Sequence, residues 1–241
     1  MNWQGLEAEL ARWRDAGRTP TFWWRDDDAT ERTPALERLL ALSRTSAVPV
    51  ALAVVPLGAA PQLFAGLEAC VLMHGTDHRN RARAGEKKTE FPAAEPPEQA
   101  LGRLREARER LAALAGRAFT PVLAPPWNRF PRALVPRLPQ IGMHGFTGFG
   151  ARGEKIPGVT EINTHVDIID WQGTRGFVGE DAALRALMKP LTAESEEPTG
   201  VLTHHAVHDE AAWAFLERLY ERTRRHGARW AEAPKLFLTS G

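Results

Sequence analysis

Between residues 21 and 238, short runs of β-branched and aromatic residues alternate with segments whose apolar residues recur at helical spacing. The strand-like runs are Thr21 to Arg25, Val48 to Val55, Ala69 to Met73, Pro121 to Ala124, Glu161 to Ile169, Gly200 to Thr203 and Leu236 to Leu238. Thr33 and Pro34 form a capping residue and first-turn proline that open a helix through Leu42. Leu101, Leu104, Leu111 and Leu114 make one apolar stripe on a second helix that Gly116 terminates. Asp209 caps a third, in which Trp213, Leu216 and Tyr220 recur before Gly227 closes it. Strands separated by helices predict parallel βαβ units, and seven of them predict a barrel rather than an open sheet. No internal repeat or Gly/Ser linker divides the chain, so residues 1–241 are expected to form one domain. The polar, Pro-rich, aperiodic stretch from Arg79 to Pro97 predicts a long loop that orders around a ligand.

A parallel barrel collects its chemistry where strands end, at the carboxyl edge. Polar and titratable residues cluster at five such ends: Asp26, Asp27 and Asp28 after the first run; His74 and His78 after the third; Trp127 and Asn128 after the fourth; Asp170 and Trp171 after the fifth; His204 and His205 after the sixth. Three adjacent carboxylates behind the apolar FWWR raise one another's pKa unless a cation is present, which favours a metal or a shared proton; capping of the helix near Thr33 is the plainer role. His74 and His78 are four apart, a spacing that puts both imidazoles on one side of a helical turn. Two imidazoles and a carboxylate make a three-ligand set that leaves coordination positions open for water. Adjacent histidines on a strand point to opposite faces, so one of His204 and His205 reaches the site, and His204 is the expected proton donor. His144, His165, His208 and His226 read as structural or solvated.

Lys and Arg total 31 against 30 Asp and Glu, which gives the chain no net field for gathering nucleic acid or an anionic membrane. No run of about 18 apolar residues occurs, and the opening segment lacks the apolar core of a secretory leader, so a cytoplasmic location is expected. The single cysteine, Cys70, excludes an intramolecular disulfide and reads as a buried, inert thiol.

RDDDA, HGTDH, APPW, DIIDW and LTHH occur in that order over residues 21 to 205, and together they resemble the five motifs of the NodB-type polysaccharide deacetylases, carbohydrate esterase family 4. The resemblance implies a distorted (β/α)7 barrel that binds zinc, or else cobalt, nickel or iron. It implies removal of acetyl groups from a carbohydrate or small N-acetylated substrate by metal-activated water. In those terms Asp28, His74 and His78 are the metal ligands and Asp27 the general base, with Asp26 and Asp27 as the alternative pair one step earlier. His204 is the acid, oriented by Asp170, or alternatively by Asp167, together with Trp171; Trp127 lines the groove and Leu202 the acetyl pocket. The chain departs from the family at two positions. Gly75 stands where Ser or Thr is usual, a change expected to loosen the local loop, and Ala124 stands where an arginine usually pairs with the base, leaving Arg25 or Arg129 to replace it.

Two other readings remain at this level. One is a metal-dependent amidohydrolase acting on a small cytoplasmic amide. The other is a non-catalytic glycan binder that stacks sugars on Trp23, Trp24, Trp127 and Trp171. The sequence leaves the substrate, the metal and the oligomeric state open.

Overall fold

A computed structural model describes residues 1–193 and 197–238. Its strands are β1 (Thr21–Ala29), β2 (Val50–Val54), β3 (Cys70–Met73), β4 (Phe119–Leu123), β5 (Gly145–Phe146), β6 (Thr160–Glu161), β7 (Val166–Asp167), β8 (Thr199–Thr203) and β9 (Arg229–Trp230). Its α-helices are α1 (Trp3–Asp15), α2 (Pro34–Ser46), α3 (Pro97–Ala115), α4 (Glu180–Thr192), α5 (Glu210–Arg225) and α6 (Ala233–Phe237). The described residues pack into two compact units: residues 1–27, 33–50, 164–193 and 197–232 in one, residues 28–32, 51–163 and 233–238 in the other.

In the first unit β8 lies parallel between β7 and β1, with Phe22 opposite Thr199 and Asp26 opposite Thr203, and the start of β1 also pairs with β9. Residues 22–27 of β1 are buried without interruption, as a strand covered on both faces requires. Helix α1 packs on α4 and α5, and α2 packs on α5. Thr33 caps α2 through Leu36 N, with Pro34 in its first turn, and Asp209 caps α5 through Ala212 N at 2.8 Å, both as the sequence predicts. Helix α1, which the strand-and-helix pattern did not include, buries Trp3, Leu6, Leu10 and Trp13 at helical spacing.

In the second unit β2, β3, β4, β5 and β6 run parallel in sequence order. Helix α3 packs on β3 and β4 and buries Leu101, Leu104 and Leu111, while Leu114 is half-buried and Gly116 caps the end at φ 54°. The last residues of β1 belong to this unit: Ala29 accepts from Val55 N at 3.1 Å and Thr30 from Ala60 N at 2.8 Å.

Several elements differ from expectation. Residues 236–238 were expected to extend, yet Leu236 and Phe237 lie in α6, where Pro234 suits a first helical turn. The run Glu161 to Ile169 breaks into β6 and β7 around Asn163, whose side chain accepts from Gly148 N at 2.6 Å. Cys70 is half-buried, with Sγ 3.1 Å from Thr120 Oγ1. Among the described residues no helix is long and apolar enough to cross a membrane.

Candidate active site

The second unit assembles the expected ligand set. One oxygen of Asp28 lies 3.1 Å from His74 Nε2 and 3.2 Å from His78 Nε2, and the donor atoms of the three side chains all lie within 4.8 Å of one another. The histidines do not share a helical turn, as their spacing suggested. They flank a loop after β3 in which Gly75 has φ 60° and His78 φ 57°, and Asp28 itself has φ 72°. Left-handed backbone at non-glycine residues costs on the order of 1 kcal/mol or more each and persists only where surrounding contacts impose it.

The His74 ring is oriented for ligation. Its Nδ1 faces the Ala124 carbonyl at 2.9 Å; a carbonyl only accepts, so Nδ1 carries the hydrogen, and in the neutral ring Nε2 holds the lone pair that an ion would need. Two imidazole nitrogens and one carboxylate oxygen suit zinc or a similar borderline divalent ion. Trp127, at φ 57° in the turn after β4, places its ring 4.5 Å from that of His78.

Contrary to expectation, the loop with Gly75 is not loosely held. Glu90, fully buried, accepts from Thr76 N at 2.9 Å and Asp77 N at 3.1 Å, and the Thr76 hydroxyl donates to it as well. Burial pushes the Glu90 carboxyl up, whereas the Arg81 guanidinium, donating to both oxygens of Asp77 at 2.8 Å, holds Asp77 well below the usual carboxylate range. The segment from Arg79 to Pro97 thus has a defined course, closed by Arg81 N donating to Thr89 O at 2.8 Å.

The first unit gathers the other candidates. Alternation along β1 sends Arg25 and Asp27 to one side and Asp26 to the other. Arg25 Nε lies 2.8 Å from Asp27 Oδ1 and Nη2 donates to Oδ2 at 3.0 Å. His204 faces the same carboxylate, Nε2 to Oδ2 4.0 Å, and its Nδ1 lies 3.9 Å from Asp167 Oδ1. Trp171 donates from Nε1 to Asp167 Oδ2 at 2.8 Å and sets its ring edge-on to His204 at 4.7 Å. Burial raises the Asp167 carboxyl, with the charge of His204 opposing. Leu202 is wholly buried, opposite Arg25 in one ladder and Asp167 in the other.

Asp170, the expected orienting carboxylate, makes no contact with His204 among the described residues. Its carboxylate accepts from Gln172 N, Gly173 N and Thr174 N and builds the turn after β7, which leaves Asp167 as the carboxylate beside the imidazole. Asp26 has its own partners: His205 Nδ1 and N, and the Thr203 hydroxyl, which in turn accepts from Trp24 Nε1 at 2.8 Å. Burial pushes Asp26 up, but the charge and hydrogen bond of His205 outweigh it and hold the carboxyl below its ordinary value. The DDD run therefore contains a buried hydrogen-bonded pair, Asp26 with His205, that sequence reasoning missed, although adjacent histidines on opposite faces foreshadow it. Trp23 and Trp24 are 0% and 1% exposed, so neither is a stacking surface, whereas Trp171 is 41% exposed.

No protein-family model matches this chain, and no curated protein matches it. Solved structures do, and they give its fold as α/β, the distorted (β/α)7 barrel of the carbohydrate esterase family 4 deacetylases. A peptidoglycan N-acetylglucosamine deacetylase in complex with 4-naphthalen-1-yl-N-oxidanyl-benzamide superposes with TM-score 0.63 at 16% identity over 92% of this chain and 89% of that one. A family 4 carbohydrate esterase from Streptomyces lividans in complex with acetate gives 0.61 at 15%, over 90% of this chain and 95% of that one. A family 4 pseudoenzyme from Bacillus anthracis gives 0.61 at 14%, over 91% and 65%.

Proposed function

We propose that this chain, working as one catalytic domain, removes acetyl groups from an N- or O-acetylated carbohydrate or related small substrate, using a divalent ion held by Asp28, His74 and His78. The observation that carries this reading is the convergence of one Asp28 oxygen, at 3.1 and 3.2 Å, with the Nε2 atoms of two histidines from a separate loop. Zinc bound there supplies Lewis-acid chemistry, polarising the acetyl carbonyl and making water more acidic.

The chain's own residues then carry the proton transfers. Asp27, which directly precedes the ligand Asp28, accepts a proton from water as the water oxygen bonds to the carbonyl carbon, and Arg25 fixes the orientation of that carboxylate. His204 delivers a proton from Nε2 to the departing nitrogen as the C–N bond breaks, which yields acetate and a free amine; an ester would yield an alcohol. Asp167 faces Nδ1 of the same ring and holds it in the orientation that presents Nε2, with Trp171 steadying Asp167. The Trp127 and Trp171 rings bind the sugar, and Leu202 backs the acetyl pocket.

The test is acetate release from a panel of N-acetylated sugars, O-acetylated sugars and small amides, with metal content quantified on the same preparation. Acetate from at least one member, lost in Asp27→Asn and His204→Ala, is the expected result. A chain carrying one divalent ion that releases no acetate from any member overturns the hydrolase reading.

A further inference from the structure

We propose that Glu90 is a positioning residue for the metal: its buried carboxylate, reaching in from the long segment 79–97, holds the backbone between His74 and His78 in the bend that brings both imidazoles to Asp28. The inference rests on reading Asp28, His74 and His78 as ligands.

Residues 74–78 have no ladder or helix to define their path. Gly75 at φ 60° and His78 at φ 57° reverse the chain, and the reversal turns the N–H groups of Thr76 and Asp77 inward, where donors need acceptors. Glu90 supplies them. Thr76 N donates to Oε1 at 2.9 Å and to Oε2 at 3.1 Å, Asp77 N to Oε1 at 3.1 Å, and the Thr76 hydroxyl donates to Oε1. The charge this buries is met by Arg103 at 3.6 Å and Arg81 at 3.8 Å. Arg103 also donates to Thr76 Oγ1 at 3.1 Å and to the Glu90 carbonyl at 3.3 Å, which ties the arrangement to α3.

Gly75 and Glu90 are complementary in shape. A Cβ at position 75 would collide with the Glu90 carboxylate and lie 2.6 Å from Pro126 Cδ, so the carboxylate occupies the space that the missing side chain leaves. The groups that donate hydrogen bonds to the Glu90 carboxylate, on Thr76 and Asp77, sit between the two histidines. That placement sets Glu90 apart from an ordinary loop anchor, which would tie the segment 79–97 to the core without touching the ligand loop.

Metal binding by the full chain, freed of metal and titrated with zinc and then cobalt(II), separates positioning from mere loop stability. Glu90→Ala is expected to weaken zinc binding by about 10- to 100-fold, the range for partners that orient ligands, and to shift the visible cobalt(II) bands. Glu90→Gln keeps an acceptor oxygen at the same reach and is expected to lose less than about tenfold. A folded Glu90→Ala with wild-type affinity and an unchanged cobalt spectrum overturns the proposal, even if its metal-free form melts earlier. Should Glu90→Ala not fold, Thr76→Val decides, since it keeps the carboxylate and removes the hydroxyl that joins it to the ligand loop and accepts from Arg103: weaker binding with an altered spectrum supports the role and wild-type behaviour overturns it. A wild-type chain that binds neither metal overturns the ligand assignment itself, a failure distinct from that of Glu90.

Discussion

Arg25 and Asp27, two residues apart on β1, close an ion pair in which the guanidinium side chain is wholly buried and the carboxylate 3% exposed. Of the two arginines that could answer for Ala124, Arg129 instead donates to the Lys88 carbonyl at 2.8 Å. The partner of the proposed base thus comes from its own strand, where the two-residue period puts the side chains on one face without help from any loop.

Removing one member of such a pair leaves the other as an uncompensated buried charge, at a cost of about 3–5 kcal/mol. Arg25→Gln is therefore expected to lose most of the chain's stability margin, and Arg25→Gln combined with Asp27→Asn to lose less than the two single changes added together. Denaturant melts of the four proteins in a double-mutant cycle measure the difference. Strict additivity would mean that the two residues do not interact.

A ligand that binds only the folded chain stabilises it in proportion to its affinity, by about 2.7 kcal/mol at a hundredfold excess over Kd. Zinc is expected to raise the melting temperature of the wild type and to leave His74→Ala, His78→Ala and Asp28→Ala unmoved. A comparable zinc shift in any of the three would remove that residue from the set.

Asp167 and Asp170, three positions apart, should separate cleanly. Asp167→Asn is expected to lower kcat by about 10- to 100-fold, because His204 loses the carboxylate beside its Nδ1. Asp170→Ala is expected to cost about 1 kcal/mol of stability through its turn bonds and to leave kcat near wild type. Steady-state kinetics on the substrate found by acetate release, together with thermal melts, check both. The reverse ranking would restore Asp170.

His208 gives a pH dependence of definite sign. Burial of its ring, only partly opposed by the charge of Asp26, lowers its pKa from 6.5 to about 4. The unfolded chain therefore takes up a proton between about pH 6.5 and 4 that the folded chain refuses. Stability from this group is intact above pH 6.5 and falls as the pH drops towards 4, by on the order of 3 kcal/mol in all. Melts in chelator at about pH 7.5 and pH 5 should show a smaller acid loss in His208→Phe than in wild type. Equal losses would place the proton uptake elsewhere, with the Asp26–His205 pair the first candidate.

Much of this was legible in the chain because it depends on local pattern. Thr33 and Asp209 announce their helices by capping chemistry, and β1, β2 and β8 are long enough for composition to declare them. Strands β5 and β9 have two residues each, too few for any periodicity, and were not anticipated. The cluster of Asp28, His74 and His78 was legible because each lies at or just after a strand end, but the path between His74 and His78 was not. That path depends on Glu90, which lies 14 residues beyond Thr76 in a segment without pattern. The choice between Asp167 and Asp170 likewise depends on which carboxylate a turn consumes. Both precede Trp171, and the backbone donors of residues 172–174 take up Asp170 while Trp171 and His204 face Asp167.

The three consecutive aspartates look interchangeable on paper, yet each is committed: Asp26 to His205, Asp27 to Arg25, and Asp28, whose φ of 72° breaks the alternation, to His74 and His78. Such a tract tolerates no frame slip. Deleting or inserting a single residue between Phe22 and Asp27 would keep the acidic character of the segment while handing every carboxylate to the wrong neighbour.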